Sequence, residues 1–286
     1  MQTLANQVYL EDQYPGVTLG AIALPHGLVQ IDAPPAPEDC RSWRAALLGL
    51  NSGAERILVN LDAHPDRTLG ARAMDCTIIG HEKTVQAFRN RPNTFKAQGE
   101  ETGADWESVV GLGSIRWAPP EISFTSIMTI EWSNFQVILE HHPGPAGGAC
   151  WAVLPTCKIV FVGDLVVKNQ PPFLASASLP EWLTSLEHLI ATYPDYTVVS
   201  SRGGVVTEAA ILAQRAQIAN LHEKLEALAA QQAGLEAVES LIQPVLAGIK
   251  IPSDRQKQAV QRLVYGLRHY YARHYRAAGT AEPEDE

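Results

Sequence analysis

The sequence is short of charge, of paired cysteines and of long apolar runs, and each shortage narrows what the chain can be. Charged residues make up 19% of the 286 positions and apolar residues 46%. That balance excludes an extensively disordered chain and supplies a real core. Cations are the scarcer sign: 22 Lys and Arg stand against 31 Asp and Glu, a net charge of −9. The broad basic footprint that nucleic acid needs is therefore missing, although a local patch is not excluded. Cys40, Cys76, Cys150 and Cys157 show no C-x-x-C spacing, so no zinc or redox motif is written into them. Free, buried thiols in a reducing cytoplasm are the expectation, with one disulfide as the alternative. No run is long enough to span a bilayer, and the opening MQTLANQVYLEDQ has neither the basic start nor the apolar stretch of a signal peptide. A cytoplasmic protein with one large α/β domain, or a domain with a helical appendage, is expected.

What is present reads as strands first and helices last. Runs at 17–24 and 28–31 flank Pro25-His26-Gly27 and predict a hairpin. A loop at 34–39 leads to a helix over 40–50, stopped by Asn51-Ser52-Gly53, and then to a buried strand over 57–61. A strand over 76–80 and a helix over 82–90 follow. The polar stretch 91–118, with four glycines, Trp106 and Trp117, predicts an excursion over the surface that borders a site. Strands are expected over 122–130, 135–140, 149–154 and 159–162, and a short one at Val198-Val199. Pro180 fits the first turn of a helix over 179–191. Helices are expected over 208–232, 235–246 and 253–277, before a frayed acidic tail over 279–286.

The most informative segment is Leu61-Asp62-Ala63-His64-Pro65-Asp66-Arg67, a D-x-H-x-D at a strand end. Side chains two apart point the same way there and can converge on one cation. Taken alone the signal is weak, because Asp and His also serve turns.

Asn60 before this motif and Thr68-Leu69-Gly70 after it resemble the metallo-β-lactamase superfamily motif H-x-H-x-D-H in context. The resemblance extends to the opening hairpin, to Ile79-Gly80-His81-Glu82, to the strand ending in Gly163-Asp164, and to Ser201-Arg202-Gly203-Gly204. The helical tail resembles the quinoprotein relay-like branch. The resemblance implies a four-layer αββα sandwich over 1–207, a helical extension over 208–278 and a tail over 279–286. Carried over residue by residue, Asp62 replaces the first ligand histidine, while His64, Asp66 and Asp164 are kept. Arg67 and Arg202 replace two further histidines, and another is lost in Pro143–Gly148, at Pro145 or Gly147.

Two functions follow from that pattern. In the first, Asp62, His64 and Asp164 hold one divalent ion, Mn, Fe or Zn, and Asp66 orients or deprotonates a water. This would hydrolyse an ester, thioester, amide or phosphoester. In the second, no metal is bound, catalysis is lost, and Arg67 and Arg202 take a small anionic ligand or a protein partner. A bland version of the second is a salt-bridge cluster in a decayed pocket. His141 or His142 is a minority candidate for a substitute ligand. The basic, aromatic run Arg268–Arg276 reads as a packed helical face rather than a nucleic-acid contact, and the Ala/Leu helices suit either packing or a homodimer.

Overall fold

The computed structural model of the chain describes residues 1–96, 101–132 and 134–276. Its first sheet opens with β1 (Gln2–Ala5), β2 (Val8–Glu11), β3 (Leu19–Ala23) and β4 (Gly27–Ile31), antiparallel in turn. Helix α1 (Pro37–Leu48) leads to β5 (Glu55–Val59), the one-turn α2 (Pro65–Thr68), β6 (Thr77–His81) and α3 (Glu82–Arg89). A small hairpin of β7 (Thr94–Lys96) and β8 (Ser114–Arg116) precedes β9 (Ile122–Phe124), which closes the sheet in the order β1-β2-β3-β4-β5-β6-β9.

The second sheet runs in order through β10 (Ile127–Trp132), β11 (Phe135–His141), β12 (Cys150–Leu154) and β13 (Ile159–Phe161). It is completed by β14 (Thr197–Ser200) and β15 (Gly204–Val206). Helix α4 (Leu179–Thr192) connects the parallel pair β13 and β14. The chain then turns helical, with α5 (Glu208–Ala230), α6 (Ile242–Ala247) and α7 (Gln256–Tyr275).

Strand alternation gives both sheets two apolar faces. Ile22, Val29, Val59 and Ile79 meet Val137, Leu139, Ala152 and Phe161 between the sheets. Leu19, Ala21, Leu28 and Leu58 point the other way, against Cys40, Trp43 and Leu47 of α1. Trp151, Val153, Val160 and Val198 carry α4 on the outer face of the second sheet. Ile218, Leu221, Leu263 and Leu267 join that same cluster, so α5 and α7 share a core with the sandwich. The result is the expected four-layer αββα architecture with C-terminal helices.

Several elements depart from the sequence reading. The strand expected over 122–130 is two strands in different sheets, β9 and β10. The chain bends at Thr125-Ser126, where Thr125 O accepts from His81 Nε2 at 2.8 Å and Ser126 O accepts from His141 N at 2.9 Å. The helix expected over 235–246 is a 3-10 stretch, Leu235–Leu241, followed by α6. Pro244 has no N–H to donate to Ser240 O, and the restart at Ile242 places it in a first turn, where none is needed. Helix α1 starts at Pro37 rather than Cys40, with Pro at a first-turn position. Strands β1, β2 and β15 and the hairpin inside 91–118 were not expected. The tail over 279–286 lies outside the described residues. All four cysteines are free, and among the described residues no helix is long and apolar enough to cross a membrane.

Strand ends place the chemistry. Asp32 follows β4, Asp62 follows β5, Asp164 follows β13 and Arg202 follows β14. Each pair of strands is parallel, so the carboxyl ends of both open on one edge of the sandwich.

Candidate functional site

The D-x-H-x-D turn is held first by its own backbone. Asp62 Oδ1 accepts from His64 N at 2.7 Å. His64 caps α2: its Nδ1 accepts from Asp66 N at 3.2 Å, with Pro65 in the first helical position. These bonds aim Asp62, Asp66 and Arg67 into the edge of the sandwich. The fold brings all six residues singled out from the sequence into one cluster, with Asp62, Asp66, Arg67, Asp164 and Arg202 buried and His64 partly exposed.

Two guanidiniums sit at its centre. Arg202 Nε donates to both oxygens of Asp164, at 3.0 and 2.9 Å. Its Nη1 donates to Asp66 Oδ2 at 2.7 Å, Gly16 O at 3.0 Å and Asp105 Oδ2 at 3.2 Å, and its Nη2 lies 3.1 Å from His64 Nδ1. Arg67 Nη2 donates to Asp164 Oδ1. Arg67 Nε stands 3.3 Å from Asp62 and its Nη1 3.6 Å from Asp32.

Three members escaped the sequence reading. Asp32 accepts from Leu61 N at 2.9 Å and Ser201 Oγ at 3.0 Å, tying the two sheets together. Asp105 lies in a one-turn 3-10 helix, Asp105–Ser108, inside the glycine-rich excursion. It is buried, and it pairs with Arg202, Arg255 and Arg262. That same turn caps Asp66, whose Oδ1 accepts from Trp106 N at 2.7 Å. Arg262 comes from α7 and donates Nε to Gly103 O at 2.9 Å. Phe173 covers the cluster, its ring 4.3 Å from the Arg202 guanidinium carbon and 3.9 Å from that of Arg262, with the His64 ring edge-on at 4.4 Å.

The charges are tuned by this packing. Burial is the largest influence on Asp164 and Asp66 and works to raise them, but the neighbouring positive charges, Arg202 first, together outweigh it and hold both carboxyls below the usual range. Burial, then Arg202, lowers His64 to about 3. Burial raises Asp62, and raises Asp32 to about 7 against the pull of Arg67. Burial and Arg202 lower Arg262 to about 9.

A divalent ion does not fit this donor set. Both oxygens of Asp164 already accept from Arg202. His64 Nδ1 faces the Asp66 N–H and Arg202 Nη2. The ring proton then belongs on Nε2, which leaves no lone pair there for a metal. Asp66, held by Arg202 and two backbone N–H groups, is a weak base. Nor are the two arginines free for a ligand, since both are fully buried among carboxylates. Among the described residues, Glu140, His142 and His188 alone bring three candidate donor atoms within 4.8 Å of one another. His141 stacks on His81 instead. In the basic run near the C-terminus, Tyr270 and Tyr271 are buried in the core.

A cleft of about 530 Å³ opens beside the cluster. Lys83, Arg91 and Arg262 bring cations to its lining, Trp106, Phe173 and Leu174 bring apolar surface, and Gly147-Gly148 forms part of one wall. Its acidic lining residues, Asp62 and Asp164, are those paired with Arg67 and Arg202.

No family model and no curated protein matches the sequence. Solved structures do. A metallo-β-lactamase from Pontibacter korlensis superposes with a TM-score of 0.59 at 16% identity, covering 77% of this chain and 98% of its own. A metallo-β-lactamase from Hirschia baltica gives 0.55 at 16%, covering 76% and 95%. A stereoselective inverting sec-alkylsulfatase from Pseudomonas sp. gives 0.68 at 14%, covering 95% of this chain and 49% of its own, so the chain spans about half of that enzyme. An alignment over 95% of the chain takes in the C-terminal helices, which occupy most of 208–275. Sheet order, layers and superposition agree: the chain has the metallo-β-lactamase fold.

Proposed function

We propose that this chain binds an amphipathic, anionic small molecule in the cleft beside the Asp–Arg cluster, and that metal-dependent hydrolysis does not occur there. The observation that carries this reading is the buried pair Arg67 and Arg202, whose guanidiniums lie on Asp62, Asp66 and Asp164. The two guanidiniums offset two of those three carboxylates, and Lys83, Arg91 and Arg262 then leave the cleft wall with cationic excess. A volume of about 530 Å³ suits a small organic ligand. A second cavity of about 710 Å³, on the far side of Arg202, carries both signs in Asp12, Asp254, Lys168 and Arg255, and selects neither.

The test is a thermal-shift screen of carboxylates, sulfates and phosphates bearing apolar groups, run beside elemental analysis. A ligand at about 100 times its Kd adds about 2.7 kcal/mol. For a chain of this length that raises Tm by about 4 °C, and Lys83→Ala should remove the shift. Near-stoichiometric metal that disappears in His64→Ala would instead support the mononuclear hydrolase and overturn the proposal.

A further inference from the structure

Behind the wall of the cleft, on the outer face of the second sheet, Glu140, His142 and His188 lie together against the core residues Trp151 and Tyr193. Alternation along β11 sends Val137 and Leu139 between the sheets and Glu140 outward, towards α4. Glu140 Oε2 stands 3.0 Å from His142 Nε2. The Tyr193 hydroxyl lies 2.9 Å from each Glu140 oxygen and anchors the carboxylate. His142 is stacked on Trp151 at 3.7 Å, and His188 of α4 stacks over His142 at 4.8 Å. His188 is the exposed member; Thr192 Oγ1 approaches its Nδ1 to 3.5 Å.

We propose that Glu140, His142 and His188 form a binding site for a borderline divalent transition ion, with zinc the best match. Two imidazoles and one carboxylate are a donor set zinc takes, and three protein ligands leave a position for water. Zinc at about 2.0–2.1 Å from its ligands holds tetrahedral donors about 3.3 Å apart. The Glu140–His142 pair is already that close, at 3.0 Å. The three donors lie within 4.8 Å of one another, so closing the site takes a shift of up to about 1.5 Å together with a turn of the exposed His188 ring out of its stack on His142. Two arms are thus fixed by packing and one is adjustable, while Tyr193 serves as the outer-shell donor that holds a ligating carboxylate in place.

The ion would pin α4 to the end of β11. That junction already carries the turn walling the cleft: Ser178 N donates to Gly144 O at 2.8 Å and Ser185 Oγ to Pro143 O at 2.6 Å. Residues 145–148 of the same turn line the cleft, so an ion here stiffens the wall from behind.

The experiment uses the untagged full chain, stripped with a chelator and titrated with Zn²⁺ by calorimetry and with Co²⁺ by visible absorption. One equivalent should bind, Co²⁺ should develop ligand-field bands, and Tm should rise with zinc. His188→Ala and Glu140→Gln should each weaken zinc by more than about tenfold, the loss that even an outer-shell change produces. His188 is exposed, so its variant keeps the fold, which near-ultraviolet circular dichroism checks. Absence of saturable binding, or unchanged affinity in His188→Ala, overturns the proposal. Binding lost in His64→Ala and kept in His188→Ala places the ion in the cleft, overturning both this site and the function proposed above.

Discussion

Replacing Arg202 by Ala tests the view that its guanidinium is the neutralising centre of the site. The side chain is fully buried and serves Asp66, Asp105 and Asp164 together. Removing one partner of a buried ion pair leaves uncompensated charge and costs about 3–5 kcal/mol. At about 2.1 cal/mol/K per residue, the unfolding entropy of a chain this long is about 0.6 kcal/mol/K, so Tm should fall by about 5–8 °C. The pH dependence is the sharper readout. In the wild type, Asp66 and Asp164 sit below their ordinary 3.8. Their contribution is present above about pH 3.8 and is lost as pH falls further. Without Arg202, burial acts on them with less opposition and their folded values rise above the unfolded one. The variant should then gain stability relative to wild type as pH falls from 7 to 5. Denaturant titrations followed by tryptophan fluorescence across that range measure both effects. A loss under about 1 kcal/mol, or a pH profile parallel to wild type, would refute the reasoning.

Three further outcomes follow from the same packing. Phe173→Leu keeps apolar bulk but removes the ring face shared by Arg202 and Arg262, and should lower stability by about 1–2 kcal/mol in chemical denaturation. Gly16→Ala should destabilise the chain: at φ +73° the new Cβ would lie 2.4 Å from Asp105 Cβ. A melt at unchanged Tm would refute that placement. His64, lowered from 6.5 to about 3, makes stability rise with pH between those values. Asp32, raised from 3.8 to about 7, makes stability fall with pH across nearly the same window. The two should largely cancel in the wild type, and His64→Asn should expose a falling limb between about pH 4 and 7 in urea titrations.

The cluster was legible in the sequence to the extent that its members stand in ordered motifs at strand ends. Asp62 through Arg67, Asp164 and Arg202 could be assigned to one place because their order and context along the chain resemble the ligand motifs of the metallo-β-lactamase superfamily. Asp32, Asp105 and Arg262 carry no such signal. Asp32 has φ +58° and reads as an ordinary turn aspartate. Asp105 stands in a polar, glycine-rich stretch where carboxylates are normally solvated. Arg262 is one cation on a long helix whose partners lie over 90 residues away. The commitment of the arginines to carboxylates, rather than to a ligand, depends on distances that spacing along a chain does not encode. The division of 122–130 between two sheets was hidden for a similar reason: an apolar run shows that a strand is buried, not which neighbours bury it.

The reach of Arg262 into the cluster also sets an order of assembly. Arg67 is made early, yet its partner Asp164 comes about 100 residues later, Arg202, which shares that carboxylate, about 135 residues later, and the arm from α7 later still. During vectorial synthesis the first sheet emerges with a charged edge it cannot bury alone, and closing it before the second half arrives would strand those charges. The sandwich should therefore complete late and cooperatively. Fragments ending before α7 should stay open at that edge and be held in solution by the same charges that later lock the site.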